Sequence, residues 1–464
     1  MSITLAGTKY LVLGAGVTGN SIGKSLSRRG GLVSVVDENP NSHSDFAVLN
    51  PGDVHIENFD AVVVSPGWNE KHPIIIAANK AGLKIENEVD LAWELSRKIS
   101  PEQKWLALTG TNGKTTTVEM TAAILQNAGL KAIACGNVGD TVIDAVDRED
   151  TFDYLVLELS SFQLHWMKKA EFVSAAILNI AEDHLDWHGS FDNYCNDKLS
   201  ILNRSSIGVL NAQDAEIFTR AQSWPGRKIF FSLQTPAPGE LGVVEDLLVD
   251  RAFVTDPSEA AMIAALADIQ PTLPHSVSNA LAAAGLARSI GVPYEKIQGA
   301  LRNFHPGRHR IESILEADGV NWIDDSKATN PHAATASIMS HLSVIWIAGG
   351  LAKGADMSDL IKTCAKRIKF AILIGADRDL IEKAFLEFSP LTPRVVLDPD
   401  TDYVKGGASN SLMEKIVSAA AKHAAPGDTV LMAPACASMD QFVSYADRGD
   451  RFAKAVKKLV AHES

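Results

Sequence analysis

At 464 residues the chain is too long for one hydrophobic core, and at about 150 residues per domain it accommodates about three. Hydrophobic residues make up 46% and charged residues 21%, which excludes a disordered chain and describes a globular one. A net charge of −13 excludes general affinity for nucleic acid or an anionic membrane, but not for a small anion held by local amides and a few placed cations.

No secretory signal is expected, because Thr8-Lys9 interrupts the early apolar residues and Tyr10 to Leu13 runs straight into a glycine turn, as a first strand does. A helix follows from about Thr18 to Arg29. Further strands are expected at Leu32 to Val36, ending at Asp37, and at Ala61 to Val64, ending at Ser65-Pro66-Gly67. A polar stretch from Arg97 to Lys104, with Pro101, marks a boundary. The second segment opens with a strand at Trp105 to Leu108, a glycine loop and a helix from Lys114 to about Ala128. Strands follow at Tyr154 to Leu157, Ala175 to Leu178 and Ile207 to Leu210. Residues 232–260 carry Pro236, Pro238 and Gly239 and show too little periodicity to assign; His275 to Ser289 reads as an Ala-rich helix, and Asn303 to Arg308 as a second linker.

The third segment repeats the alternation, with strands at Trp322-Ile323, Val344 to Ile347, Ala371 to Ile374 and Thr429 to Met432. A last helix near Arg448 to His462 carries Arg448, Arg451, Lys454, Lys457 and Lys458, which read as a solvated cationic face complementing the helix dipole. Such alternation implies an α/β chain of three domains, 1–98, 99–304 and 305–464, each a mainly parallel sheet flanked by helices. No run approaches 18 apolar residues, so no membrane span is expected. Cys135, Cys195, Cys364 and Cys436 lie far apart and fit neither a disulfide frame nor a zinc site; a soluble, cytoplasmic protein is expected.

The sharpest motif is Thr109-Gly110-Thr111-Asn112-Gly113-Lys114-Thr115-Thr116, between a strand and a helix. There the free N–H groups of a first helical turn and the helix dipole face the loop, and glycines let the backbone approach an anion. Lys114 supplies a point charge for β- and γ-phosphates and Thr115 a hydroxyl for Mg²⁺. The spacing is a short Gly-x-x-Gly-Lys-Thr form. Gly14-x-Gly16-x-x-Gly19, with Asp37 closing the next strand, is a dinucleotide fingerprint. On pattern alone it suggests NAD and an oxidoreductase, and such a turn equally cradles the pyrophosphate of a UDP-sugar. Glu158 ends an apolar strand where a carboxylate in a phosphate-loop sheet meets Mg²⁺, and Glu182-Asp183-His184-Leu185-Asp186 follows the next strand. Oxygen ligands suit Mg²⁺, and the imidazole of His184 makes Mn²⁺ acceptable. Taken alone, Lys198 reads as a surface lysine within a helix.

Thr109 to Thr116, Glu158-Leu-Ser-Ser-Phe-Gln-Leu164, Glu182 to Asp186, Asp325-Ser-Lys-Ala-Thr-Asn330 and Pro434-Ala-Cys-Ala-Ser-Met-Asp-Gln-Phe442 resemble the Mur ligase family, in order and through all three segments. The resemblance implies a Rossmann-like UDP-binding domain, a central ATPase domain and a Rossmann-like C-terminal domain that brings an amino acid. The implied reaction is ATP-dependent joining of D-glutamate to UDP-N-acetylmuramoyl-L-alanine through an acyl phosphate, in cytoplasmic peptidoglycan precursor synthesis, by a monomer. Sister Mur enzymes and folylpolyglutamate synthase remain as alternatives. By position, Gly110 to Thr116 would hold ATP, with Asn279, Arg310, Asp325 and Lys327 also at the nucleotide. Thr115, Glu158, His184 and a carbamylated Lys198 would hold two Mg²⁺ ions. Asn137 and Ser160 would line the muramoyl substrate, and Thr329, Lys353, Ser438 and Phe442 would receive D-glutamate, with Tyr445 where the family often has Phe. Val17, Thr18, Asp37 and Ser65 would contact UDP, although Glu38-Asn39 replaces the Thr-Arg of better-known members.

Overall fold

The computed structural model describes residues 5–39, 44–397 and 410–460, in which strands and helices alternate through three sheets. Central strands such as Ala61–Val64 and Val344–Gly349 are short apolar runs buried on both faces, the signature of parallel strands covered by helices. The first sheet has five parallel strands in the spatial order Val48–Leu49, Leu32–Val36, Lys9–Leu13, Ala61–Val64, Lys84–Asn87. Leu13 is in register with both Val36 and Val64, so the glycine turn, Asp37 and Ser65 leave the sheet together.

The second sheet has nine strands, in the order Ala261–Ala265, Leu247–Asp250, Glu240–Val244, Arg227–Phe231, Ser205–Asn211, Phe172–Ile177, Lys104–Thr109, Tyr154–Glu158, Ala132–Gly136. The stretch that showed no periodicity forms its antiparallel margin: Glu240–Val244 and Leu247–Asp250 pair as a hairpin, with Glu245 left-handed at the turn (φ 53°). Strands of four or five residues beside Gly and Pro are too short to show a period. The helices Lys114–Asn127 and Pro274–Ser289 share one apolar cluster, in which Ala280, Ala283 and Ala284 are small enough to let the helices approach.

The third sheet runs Glu312–Ala317, Val320–Asp324, Thr429–Met432, Val344–Gly349, Ile368–Ile374, Arg394–Val396, parallel apart from its first hairpin. The α/β class is therefore as expected. The chain divides into two compact units, one of Met1–Ile180 with Trp187–Phe304 and one of Ala181–Asp186 with His305–Ser464. Within the first unit, Val12, Ile22 and Val63 share a continuous core with Trp105, Leu157 and Ile177, which fuses the first two sheets.

One expectation is overturned. The last helix is Tyr445–Leu459, and Lys454, Lys457 and Lys458 are exposed, but Arg448 is completely buried. Its guanidinium donates to Ser326 Oγ (2.9 Å), Ser326 O (2.9 Å), Cys436 O (3.2 Å) and Gly349 O (3.4 Å). Carbonyls of residues 326, 349 and 436 replace its water, and burial pushes the guanidinium down to about 10. His462, read as the end of this helix, lies outside the described residues.

Candidate active site

Strand Lys104–Thr109 lies between Tyr154–Glu158 and Phe172–Ile177, so the glycine loop, Glu158 and Asn179 emerge at one sheet edge. Gly113 caps the helix Lys114–Asn127 with φ 80°, and a Cβ there would stand 2.5 Å from Asn279 Oδ1. Only glycine satisfies both the left-handed backbone and that approach. The loop is clamped from outside: Asn112 N donates to Asn179 Oδ1 (2.7 Å), Asn179 Nδ2 donates to Asn112 O (3.0 Å), and Thr111 N donates to Asn179 O (2.9 Å). Lys114 folds over the loop and donates to Gly110 O (2.9 Å) and Thr111 O (2.8 Å). Thr115 is buried and Thr116 half-buried in the first helical turn.

Glu158 is buried; its Oε1 accepts from Asn137 Nδ2 (2.9 Å), whereas its Oε2 has no hydrogen-bond partner. A buried carboxylate oxygen without a donor is costly unless a cation meets it, so this donor fits a hard divalent ion. Asn137 also donates its main-chain N–H to Glu158 O (2.9 Å). Ser160 caps the helix Ser161–Trp166 in a reciprocal box with Gln163. Lys198, in helix Phe191–Leu199, is only 2% exposed, against the surface reading its sequence alone suggests. Its Nζ donates to Gly110 O at 2.8 Å, so two lysines converge on one carbonyl of the loop. Tyr194, one turn earlier, lies beneath Nζ (4.7 Å to the ring centroid) and pairs its hydroxyl with Thr111 Oγ1 (2.9 Å).

At the first sheet, Gly19 packs against Gly14 so closely that a Cβ would meet Gly14 O at 1.8 Å, whereas Gly16 faces open space. Close packing by the third glycine and open approach at the second suit a diphosphate. Val17 and Thr18 open the next helix, Val17 being exposed. Asp37 accepts from Ala15 N (2.8 Å) and from Asn39 N (2.9 Å), one bond on each oxygen. Ser65 Oγ is buried without a partner. Glu38 lies 3.4 Å from His72 Nε2, and Trp68 meets the His72 ring edge-on.

In the second unit His184 is left-handed (φ 54°), with Nε2 3.7 Å from Asp183 Oδ2. Asp325 is buried, accepts from Ile311 N (3.4 Å), and is pushed up to about 7 by burial. Arg310 is half-buried, and Lys327 lies over the Tyr445 ring (4.0 Å). Thr329 N donates to Lys327 O (2.9 Å). Lys353 is exposed with φ 52°, in a loop that bridges Leu351 to Ala437. Ser438 is buried and its carbonyl accepts from Phe442 N (2.8 Å). The ring of Phe442 lies inside the hydrophobic core, unlike a side chain open to an amino acid. Gln441 beside it is buried with neither amide atom bonded.

Sequence reasoning missed the Asn179 clamp, the Tyr194–Thr111 pair, Arg448, and a chain of hydrogen bonds through His165, Asp197 and His188. Only Asn179 carried a usable signal, as a polar residue closing the strand beside the loop.

The Mur ligase middle domain matches residues 108–287, and the Mur ligase, glutamate ligase domain matches residues 309–436. The UDP-N-acetylmuramoylalanine–D-glutamate ligase of Streptomyces coelicolor is 45% identical, covering 99% of this chain and 100% of the relative. Its namesake in Thermobifida fusca is also 45% identical, over 98% and 99% respectively. Two solved structures share the fold: a pseudomurein peptide ligase type C from Methanothermus fervidus (TM-score 0.59, 18% identity, 98% of this chain and 100% of that chain) and the MurF ligase from Thermotoga maritima in complex with ADP (TM-score 0.58, 17% identity, 100% of both).

Proposed function

This chain belongs to the Mur ligase family, and we propose that it joins D-glutamate to UDP-N-acetylmuramoyl-L-alanine at the expense of ATP, in peptidoglycan precursor synthesis. The observation that carries this reading is the convergence of Lys114 and Lys198 on Gly110 O, at the sheet edge where Glu158 keeps a bare carboxylate oxygen. Two cations at one carbonyl repel, and an anion bound over the loop relieves them.

A carboxylate must be activated before an amine can displace its oxygen. The L-alanyl carboxylate attacks the γ-phosphorus of ATP, ADP leaves, and the amine of D-glutamate then attacks the acyl phosphate and expels phosphate. Both partners in the first step are anions, so neutralisation is the main task. The backbone amides of Gly113 and Lys114 at the helix N-terminus and the Lys114 ammonium serve the phosphates, while Thr111 N and Asn112 N are held by Asn179. In the second unit, Arg310, Asp325 and Lys327 are assigned to the nucleotide, and Thr329, Lys353, Ser438 and Phe442 to D-glutamate. The buried ring of Phe442 leaves its backbone as the group for that role. Asn137 and Ser160 take the muramoyl substrate, and Val17, Thr18, Asp37 and Ser65 the UDP moiety, which assigns the glycine turn to a UDP-sugar rather than to NAD.

Mg²⁺, when bound, supplies charge neutralisation between phosphate and carboxylate; Thr115, Glu158, His184 and Lys198 are the residues that would hold it. Lys198 serves there as a carbamate: its ammonium loses a proton, CO₂ bonds to the neutral amine, a second proton leaves, and a cation becomes an anion. That change replaces the Lys114–Lys198 repulsion by attraction, which favours the reading. We place UDP binding in residues 1–98, ATP binding in 99–304 and amino-acid binding in 305–464, in a cytoplasmic monomer.

The test is ADP release from ATP with UDP-N-acetylmuramoyl-L-alanine, scanned across D- and L-amino acids. Release with D-glutamate alone is expected. Preference for another amino acid transfers the chain to a sister ligase, and release independent of the muramoyl substrate removes the ligase reading.

A further inference from the structure

Beside the site runs a chain of hydrogen bonds that the reaction above does not use. His188 Nδ1 lies 2.8 Å from Asp197 Oδ2, and His188 Nε2 lies 2.9 Å from Ser161 Oγ. Asp197 also meets His165 Nδ1, at 3.2 Å from either oxygen. The His188 side chain is fully buried, stacked on Phe162 (5.4 Å, 3°) and edge-on to Trp187 and Tyr194. With Nδ1–H given to the carboxylate, Nε2 accepts from the Ser161 hydroxyl, which fixes one tautomer. Serine, histidine and aspartate stand here in the order of an acyl-transfer triad, but Ser161 is buried and His188 sealed, so no acyl group reaches the hydroxyl.

Ser161 and His165 both belong to the helix Ser161–Trp166 that follows Glu158, and Asp197 belongs to the helix that carries Lys198. The linking residue, His188, is tied at its carbonyl by Asn193 Nδ2 (2.9 Å). Neighbouring helical residues point about 100° apart, so a helix held at Asp197 has its Lys198 direction fixed. Tyr194 and Lys198, four apart, therefore face the phosphate loop while Asp197 faces the other helix.

We propose that His188 and Asp197 are positioning residues for the ligation: they set the rotation of helix Phe191–Leu199 and so the place of Lys198 under the phosphate loop. This rests on the assignment of Lys198 to the site. Side-chain ends stand about 6 Å from the helix axis, so about 10° of rotation displaces one by about 1 Å. Displacements of that size cost about a hundredfold in rate.

The experiment compares steady-state kinetics of the full chain with its His188→Phe, His188→Asn, Asp197→Asn and Lys198→Ala variants. His188→Phe keeps the stack and loses both hydrogen bonds. Asp197→Asn keeps the volume and loses the charge. Both should lower kcat by about ten- to a hundredfold and leave KM for ATP and for the muramoyl substrate within about twofold. His188→Asn places an amide N–H where Nδ1 was and should recover most of the loss. Turnover within about twofold of the parent in Asp197→Asn, or an equal loss in His188→Asn and His188→Phe, overturns the proposal. If His188→Phe does not fold, the Asp197→Asn result decides alone. An active Lys198→Ala enzyme instead removes Lys198 from the site, and that failure is separate.

Discussion

Glu88 offers a prediction whose size and sign both follow from its surroundings. It opens the helix Glu88–Ile99, is 2% exposed, and accepts from Ile143 N (2.9 Å) in the first turn of the helix Val142–Val146, joining the end of the first segment to the second. Burial raises its carboxyl from 4.5 to about 7; the amides of Ile143 and Val142 lower it and Asp144 raises it further. The folded state therefore holds the proton more tightly than the unfolded chain. Between about pH 4.5 and 7 the unfolded chain has lost a proton that the folded one keeps, so stability falls as pH rises through that window and levels off above it. A shift of that size corresponds to about 3 kcal/mol. Glu88→Gln keeps an acceptor for Ile143 N and removes the titration. The difference in unfolding free energy, variant minus parent, should grow by up to about 3 kcal/mol from pH 5 to pH 8 in favour of the variant. Urea unfolding of the first unit, followed at several pH values, measures it; because both proteins share every other titrating group, the difference isolates Glu88. A difference that stays flat across this range refutes the reasoning.

Lys198→Ala should lose nearly all ligation, and short-chain carboxylic acids added to the assay should restore part of it by replacing the carbamate; parental turnover takes the residue out of the site. Gly113→Ala forces an L-residue into a left-handed turn at about 1–2 kcal/mol and pushes a methyl against Asn279, so KM for ATP should rise at least tenfold, and an unchanged KM argues against ATP over this loop. Arg448→Met removes the donor shared by Ser326, Cys436 and Gly349 carbonyls, each costing about 1–3 kcal/mol when left bare. Thermal unfolding of the second unit should drop by several degrees, and a shift within error shows those carbonyls to be satisfied otherwise.

The sequence made legible what is local. Strands such as Tyr10 to Leu13 and Leu106 to Leu108 are apolar on both faces because helices cover both sides, and they read as uninterrupted runs. The phosphate loop was legible because an anion site at a helix N-terminus needs glycine and lysine at fixed spacing. Other features depend on partners far along the chain. The edge strand Lys84–Asn87 has one apolar residue, Ile85, and the hairpin at 240–250 takes its order from the sheet it joins. Arg448 carries the pattern of a surface cation, and nothing near it announces that carbonyls at 326, 349 and 436 will enclose it. Lys198 fails in the same way, since its burial depends on loop 109–111, nearly ninety residues earlier. His188 and Asp197 form one hydrogen-bonded pair only because residues 188–190 turn back onto the helix.

The phosphate loop itself shows how far a local motif depends on tertiary support. Almost every residue of it is held by a different element. Thr109 Oγ1 donates to Leu159 O, Gly110 O accepts from Lys198, Thr111 pairs with Tyr194, Asn112 exchanges two bonds with Asn179, and Gly113 rests against Asn279. A preorganised anion site must have its N–H groups aimed before the anion arrives, or binding has to supply the cost of ordering them. Here that cost is met during folding, by strands and helices spread from residue 109 to residue 279. The motif names the chemistry, but the geometry that makes it effective belongs to the whole first unit. Substitutions at Asn179, Tyr194 or Asn279 should therefore act on the loop as directly as substitutions within it.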